Sequence, residues 1–145
     1  MKKKPIIFLL FIIFLVFFSD NAVGHRQVCF QNKCFYVEIV EHPEDLQKGL
    51  MFREHLDKTQ GMLFIFLNSD LHAFWMKNTL IPLDIIWLDE SRKIVSIAHQ
   101  ALPCLKDPCF VYYPQKSAKY VLEINGGLCQ KLKIRVGDKA KFLFE

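Results

Sequence analysis

The sequence lacks a strong excess of charge of either sign. It contains 19 Lys and Arg residues and 15 Asp and Glu residues, which gives a formal net charge of +4. Three positive charges and one negative charge lie in the first 24 residues, so the remainder carries a net charge of +2. Such a small charge does not indicate a nucleic acid or a strongly acidic molecule as a partner. We therefore expect no nucleic-acid binding.

The sequence also lacks the short motifs that mark common catalytic sites. It contains no G-x-S-x-G nucleophile motif, no H-E-x-x-H zinc motif and no glycine-rich phosphate loop. Its five histidines have no regular spacing to one another or to a carboxylate, so they predict no metal site. We expect no metal and no other cofactor. The absence of a Ser or His nucleophile arrangement favours a binding function over catalysis.

No hydrophobic run is long enough to cross a bilayer comfortably. The longest run extends from Ile6 to Phe18 and has about 13 residues, whereas a transmembrane helix needs roughly 20. Three lysines precede this run, and the small residues Ala22 and Gly24 follow it. This pattern predicts a signal peptide over residues 1–24 and export to the periplasm or the extracellular space. The alternative is an uncleaved segment that anchors the protein, which is the only membrane contact we expect.

Four of the five cysteines form two pairs with the same spacing. Cys29 and Cys34 flank a predicted two-residue turn, and Cys104 and Cys109 enclose the turn-forming sequence Leu-Lys-Asp-Pro. In an exported chain, both pairs predict disulfide bonds and leave Cys129 free. A zinc site with four thiolate ligands is the alternative, although structural zinc sites usually have the shorter C-x2-C spacing.

Two apolar runs at the centre of the chain predict strands that are buried on both faces. The runs 62–67 and 83–88 are rich in Phe, Ile and Leu and are bounded by Gly, Asn, Asp or Pro. Around them we predict a hairpin over 28–40, a short helix between His42 and Gly49, and strands at 93–98, 120–124 and 140–144. A short helix from Leu128 should be followed by a strand that includes Val136.

These elements predict a mainly β (α+β) fold within a single globular domain over residues 25–145. Its sheet should be small, curled, and antiparallel or mixed, with a barrel-like or sandwich-like form and one or two short helices. Long helices that alternate with strands are absent from the predicted elements, so a doubly wound fold is not expected.

Five short motifs occur in one order along the chain. They are G-L-M-F-R at 49–53, G-M-L-F at 61–64, W-M-K-N-T at 75–79, P-L-D at 82–84 and Y-V-L-E at 120–123. In these motifs the sequence resembles the bacterial and archaeal family catalogued as domain of unknown function 192, over roughly residues 37–144. The resemblance implies a small, mostly β fold. It implies no activity.

The candidate site consists of residues that lie within these motifs and interrupt or border the apolar runs. The candidates are Arg53, Trp75, Met76, Lys77, Asn78, Thr79, Asp84 and Glu123. Buried charges are costly unless they are paired, so we expect these groups to converge. They form either a structural hydrogen-bond network, in which Arg53, Lys77 and loop amides bind the two acids, or a ligand pocket walled by Phe74, Trp75 and Met76.

The functional hypotheses follow from these alternatives. The first is a non-enzymatic envelope protein that binds a small ligand or a partner through a polar pocket around Lys77–Asp84. The second is an exported hydrolase or isomerase that uses Asp84 and Glu123 as general acid and base. A third is an accessory protein held at the membrane by its uncleaved N-terminal segment. The second hypothesis requires the two carboxylates within about 6 Å of each other beside an open cavity.

Overall fold

The chain folds around one strongly curled, mixed β-sheet. The computed structural model describes residues 26–144, so the predicted signal peptide lies outside the described residues. In chain order the elements are β1 (Gln27–Phe30), β2 (Lys33–Val40), α1 (Pro43–Lys48), β3 (Gln60–Asp70), β4 (Phe74–Trp75), β5 (Leu83–Leu88), β6 (Ile94–Ala101), β7 (Val111–Tyr112), β8 (Ala118–Asn125), α2 (Leu128–Leu132) and β9 (Ala140–Leu143). The predicted mainly β fold is confirmed. Neither of the helices between residues 26 and 144 has the length and apolar character needed to cross a membrane.

Seven strands form the curled sheet in the order β6-β5-β8-β3-β2-β1-β9. Every neighbouring pair is antiparallel except β2–β3, which is parallel. A bridge between Lys93 and Lys139 connects the segments beside the two edge strands. The curl therefore brings both edges of the sheet together and gives the molecule the form of a half-barrel. The short strands β4 and β7 form a separate two-stranded sheet.

The hairpin formed by β1 and β2 agrees with the sequence pattern. Phe35 and Val37 are buried on one face of β2, and Tyr36 is exposed on the other. Cys29 lies directly opposite Cys34, with 4.0 Å between their α-carbons and 2.04 Å between their sulfur atoms. This arrangement is the one expected for cysteines that face each other across a tight turn.

The second predicted disulfide closes the loop that precedes β7. The sulfur atoms of Cys104 and Cys109 lie 2.13 Å apart. Cys129 is buried and free, as predicted. Disulfide bonds form and persist in oxidising environments, so both bridges are compatible with an extracellular setting.

The central strands β3, β5 and β8 separate two hydrophobic cores. All six residues of β5 are buried. On one face, Ile86 and Leu122 belong to the core inside the curl, while on the other face Ile85 and Val121 belong to a second core. This arrangement explains why the strand sequences are continuously apolar instead of alternating with polar residues.

The helix α1 covers the second core and has the predicted boundaries. Pro43 occupies its first position, acidic residues lie in its first turn, and Lys48 lies in its last turn. Gly49 ends the helix with a φ of 48°, a conformation that favours glycine. Leu50 follows immediately and is only 2% exposed, so it fixes the end of α1 to the core.

The prediction of a strand directly after α2 is wrong for the residues that the structure describes. The backbone N–H of Ile134 bonds back to the carbonyl oxygen of Cys129, and Lys133 has a left-handed φ of 60°. The chain therefore turns away at the end of α2 and forms no sheet ladder there. The alternation that suggested a strand has a simpler origin, because Ile134 packs into the core while Val136 is 61% exposed.

Candidate functional site

Asp84 holds three backbone segments together at the start of β5. Its Oδ1 accepts hydrogen bonds from the backbone N–H groups of Gln100 (2.8 Å) and Gly127 (2.9 Å), and its Oδ2 accepts one from Cys129 (2.7 Å). The residue at the N-cap of α2 provides no side-chain cap, so Asp84 supplies this function from another strand. Because its burial is compensated by three hydrogen bonds, Asp84 acts as a structural group.

Arg53 does not contact either buried acid. Its guanidinium group forms two hydrogen bonds to the carboxylate of Glu38 on β2, at 2.5 and 2.6 Å. These hydrogen bonds from Arg53 lower the pKa of Glu38 below its ordinary value. The pair is partly exposed, so it positions the segment after α1 against the sheet surface instead of completing a buried network.

Lys77 also binds an acid that the sequence did not indicate. Its Nζ lies 2.7 Å from Oδ2 of Asp107 and 5.3 Å from the centroid of the Trp75 ring. This Lys77–Asp107 contact connects the W-M-K-N-T motif to the loop closed by the second disulfide. The Trp75 side chain is 41% exposed, and one face of its ring already contacts a cation.

The remaining residues of this motif serve mainly to fix the chain. Met76 is 1% exposed and belongs to the second core. The backbone N–H of Asn78 donates a hydrogen bond to the carbonyl oxygen of Cys104 (2.9 Å), and Asn78 has a left-handed φ of 54°. The Thr79 side chain is buried, and its hydroxyl group donates a hydrogen bond to the carbonyl oxygen of Lys77 (3.4 Å).

Asp84 and Glu123 do not share a site. Strands β5 and β8 are paired so that Asp84 lies opposite Ile124, and Glu123 lies opposite Ile85. Because successive side chains on a strand point to opposite faces, the two carboxyl groups lie on different faces of the sheet. Ile124 belongs to the core inside the curl, whereas Ile85 belongs to the second core. The acid/base pair hypothesised from the sequence is therefore not assembled.

Glu123 is a buried acid without a partner. Its side chain is 4% exposed, and within residues 26–144 no side chain or backbone group forms a hydrogen bond or ion pair with its carboxyl group. Glu123 lines a cavity of about 240 Å³. Among residues 26–144 no fully enclosed side-chain oxygen lacks a hydrogen bond, so the unbonded oxygens of Glu123 retain some contact with solvent. Burial raises the pKa of Glu123 to about 8, so the carboxyl group is mostly protonated at neutral pH.

Two adjoining cavities form a groove along α1, which we call the α1 groove. The inner cavity is lined by Glu123 and by the aromatic residues Phe64, Phe66, Phe74 and Trp75, together with residues of α1. The outer cavity has a volume of about 360 Å³ and is lined by Glu44, Gln47, Lys48, Trp75, Lys77 and Asn78. Both cavities share Gln47, Lys48, Met51 and Trp75 as lining residues. The groove therefore has Lys77 at its outer end, the buried acid Glu123 at its inner end, and Lys48 along both cavities.

Sequence reasoning did not predict the contribution of α1 to this groove. Lys48 lines both cavities, and Gly49 lies against Glu123. A β-carbon at Gly49 would lie 3.2 Å from the ring of Phe64 and 3.8 Å from Oε2 of Glu123, so the missing side chain keeps this wall open. The sequence did contain one indication of this contribution, because Gly49 is the first residue of the G-L-M-F-R motif.

A second group of potential ligand atoms lies on the other face of the sheet. Atoms of Asp84, His99 and Cys129 lie within 4.8 Å of one another. Burial, with the neighbouring Asp84 carboxylate, raises the pKa of the Cys129 thiol well above its ordinary value. Both carboxylate oxygens of Asp84 already accept backbone hydrogen bonds, and the adjoining cavity is lined by Lys133 and Arg135. These contacts do not favour a cation at this group.

Comparisons with known proteins agree with the motif pattern. The family model described as "Uncharacterized ACR", domain of unknown function 192, matches residues 26–142. A UPF0127 protein of Pyrococcus abyssi is 36% identical over 112 residues, covering 74% of this chain and 86% of the relative. A UPF0127 protein of Pyrococcus horikoshii is 31% identical over 99 residues, covering 65% of this chain and 76% of the relative.

A solved structure extends this similarity to the fold. The crystal structure of a protein of unknown function from Novosphingobium aromaticivorans has a TM-score of 0.73 and 36% sequence identity, and the match covers 80% of this chain and 82% of that one. The match of the family model over most of the chain, together with these relatives, settles the relationship. The chain belongs to the uncharacterised family catalogued as domain of unknown function 192.

Proposed function

We propose that this protein works outside the cytoplasm as a binding protein for a small molecule that occupies the α1 groove and contacts Glu123. The observation that carries the proposal is the carboxyl group of Glu123, which is almost completely buried, has no partner among the described residues, and lines an open cavity. The carboxyl oxygens of Glu123 are not fully enclosed, so a molecule in the cavity would be able to reach them. A bound ligand would supply the missing partner.

The chemistry of the groove supports binding. Ligand pockets are typically concave, with mostly apolar walls and a few polar groups that fix the orientation of the ligand. The inner cavity has this character, because its aromatic walls surround the single acid Glu123. Perturbed pKa values are also concentrated at functional sites, and the raised pKa of Glu123 agrees with that tendency.

The opposite orientation of the two acids argues against the acid/base alternative. Asp84 is saturated by backbone N–H groups on the other face of the sheet, and it is unavailable to a molecule that contacts Glu123. A hydrolase or isomerase that uses both carboxylates would need them on the same side of one substrate. The groove offers one carboxyl group at its inner end, which suits recognition better than paired acid/base chemistry.

The location outside the cytoplasm is supported by two independent features. The N-terminal segment has the basic, apolar and small-residue pattern of a signal peptide, and both disulfides favour an oxidising compartment. Cell fractionation and N-terminal sequencing test this part of the proposal. We expect a mature N-terminus close to His25. An intact Met1 in the envelope protein would favour the membrane-anchored alternative, and recovery in the cytoplasm would contradict export.

A fragment-binding experiment tests the groove directly. Amide NMR spectra of the isotopically labelled protein would be recorded with a library of small polar molecules. We expect hits to shift the signals of Gly49 and Trp75, and Trp75→Ala should remove the shift of the Gly49 signal. Tyr113→Ala is the matched control, because Tyr113 is an exposed aromatic residue that lines neither cavity. A library without any hit in the groove would contradict the proposed function.

A further inference from the structure

We infer that the α1 groove binds a small zwitterion, with its cationic nitrogen against Glu123 in the inner cavity and its anionic group between Lys48 and Lys77 in the outer cavity. This inference rests on the proposed function and specifies the chemical class of the ligand. It follows from the distribution of charge and aromatic surface along the groove. Glu123 is the only acid among the described lining residues of the inner cavity, Lys48 lines both cavities, and the outer cavity adds Lys77 and Glu44.

The inner cavity has the composition of a cation-binding site. Phe64, Phe66, Phe74 and Trp75 line it together with Glu123. The faces of aromatic rings attract ammonium groups, and sites for methylated ammonium ions use several such rings. The ring of Phe74 contacts its neighbours edge to face, at centroid distances of 4.9 Å from Phe64 and 6.3 Å from Phe66. An ammonium group beside Glu123 would therefore lie next to a carboxylate and among several aromatic side chains.

The outer cavity has the opposite electrostatic character. Lys48 has no acidic partner among residues 26–144, and it lines both cavities. Lys77 lines the outer cavity and is held by Asp107 and the Trp75 ring. Glu44 lines the same cavity and offsets part of this positive charge. An anionic group in the outer cavity would gain an ion pair with Lys48 without displacing an existing partner.

The combination of charges favours a zwitterion over ligands with a single charge. An anion alone would accept a hydrogen bond from protonated Glu123, but it would not use the aromatic rings of the inner cavity to hold a cation. A cation alone would gain the inner contacts but would lie near two lysines without an anionic group to offset them. A zwitterion with both groups satisfies each end of the groove. This chemistry occurs in free solutes such as betaines and in the head groups of zwitterionic lipids.

Protonation of Glu123 gives the inference a distinctive signature. A cation in the inner cavity favours the ionised carboxylate, so binding at neutral pH must release a proton. Since the pKa of the free site is about 8, affinity should increase about tenfold between about pH 7 and pH 9. Glu44, Lys48 and Lys77 are the charged groups that share the groove with Glu123. A purely structural role of Glu123 would produce no proton release on binding.

Isothermal titration calorimetry with matched probes tests the inference. Glycine betaine carries both charges, 3,3-dimethylbutanoate is its isostere with a carbon in place of the nitrogen, and tetramethylammonium lacks the anionic group. At about pH 9, we expect glycine betaine to bind at least about tenfold more tightly than either single-charge probe. Titration in buffers with different ionisation enthalpies should reveal proton release at neutral pH. Phosphocholine and phosphatidylcholine vesicles then distinguish a free solute from a lipid head group.

Single substitutions test which end of the groove binds the cationic group and which binds the anionic group. Glu123→Gln should reduce the preference for glycine betaine over 3,3-dimethylbutanoate to the part that the aromatic rings contribute, and it should abolish the proton release. Lys48→Met should reduce the preference for glycine betaine over tetramethylammonium, because only Lys77 remains in the outer cavity, whereas Lys116→Met, an exposed lysine outside both cavities, should change neither preference. Equal binding of betaine and its isostere, an unchanged preference in Glu123→Gln, or no binding of any zwitterion would overturn the inference. Fragment hits that depend on Trp75 would still support the groove as a binding site, so the two proposals fail separately.

Discussion

Asp84 and Glu123 lie one residue out of register on neighbouring strands, and this offset places the two buried acids in opposite environments. Asp84 meets three backbone N–H groups, whereas Glu123 meets aromatic side chains and an open cavity. The folded state therefore favours a charged acceptor at residue 84 and a neutral group at residue 123. Replacing each acid with its amide should change stability in opposite directions.

The substitution Asp84→Asn should destabilise the protein by roughly 2–4 kcal/mol, because the amide cannot accept all three backbone hydrogen bonds. Its NH₂ group would face at least one N–H donor. Urea denaturation of wild type and variant measures the difference in the free energy of unfolding. Asp45→Asn, at an exposed acid on α1, is the control and should remain within about 0.5 kcal/mol of wild type. A melting temperature of Asp84→Asn at or above wild type would show that the carboxylate is held for a ligand.

The substitution Glu123→Gln should stabilise the protein increasingly as pH rises. The pKa of Glu123 is raised from 4.5 to about 8 by burial in the folded state. Below about pH 4.5 the group is protonated in both states, so it adds no pH dependence. Between about pH 4.5 and 8 the folded state retains a proton that the unfolded state releases, so wild-type stability falls with rising pH. Above about pH 8 Glu123 is ionised in both states, so the wild type loses no further stability from this group.

The size of this effect follows from the shift in pKa. Each unit corresponds to about 1.4 kcal/mol, so the loss at pH 8 is at most on the order of 5 kcal/mol. Glutamine is neutral at every pH, so the Glu123→Gln variant does not lose this stability. Unfolding free energies of both proteins at about pH 5 and pH 8 give the comparison, with the exposed Glu44→Gln as control. A stability difference between Glu123→Gln and wild type that is the same at both pH values would contradict the prediction.

The fold could be predicted from the sequence because its patterns are local. The continuous apolar runs of β3 and β5 indicate burial on both faces, and the proline, acids and glycine around α1 indicate its two ends. The error after α2 has the same origin. A stretch of three alternating apolar residues fits a strand, but the backbone bond from Ile134 to Cys129 reverses the chain.

The partners of the site residues could not be predicted because they depend on register. One residue of offset between β5 and β8 decides whether Asp84 and Glu123 share a face, and no local pattern specifies that offset. The donors to Asp84 come from residues 100, 127 and 129, which are distant in sequence. They are also backbone N–H groups, and almost any residue type can provide such a donor, so the sequence does not reveal them. The sequence therefore identified the polar residues but not their contacts.

Lys77 pairs with Asp107 in the structure, whereas the sequence suggested that it pairs with a buried acid. A double-mutant cycle distinguishes these two pairings. The Lys77 and Asp107 side chains are 35% and 61% exposed, so a double-mutant cycle with Lys77→Met and Asp107→Asn should give a coupling energy below about 1 kcal/mol. The cycle that combines Lys77→Met with Asp84→Asn serves as the control and should be additive within about 0.5 kcal/mol. A coupling of several kcal/mol between Lys77 and Asp84 would disagree with the contacts of both residues.

The five cysteines should differ in reactivity, because four form disulfides and one is a buried thiol. Cys129 is buried and its thiol pKa is raised, so the native protein should react with iodoacetamide only very slowly. Unfolding without a reductant should expose one reactive thiol, and reduction should expose all five. The Cys104→Ser variant supplies the contrast, because it frees the half-buried Cys109 and should show one fast-reacting thiol while losing roughly 2 kcal/mol of stability. Mass mapping of unreduced peptides should show the pairs 29–34 and 104–109, and four free thiols in protein from the envelope would refute both bridges.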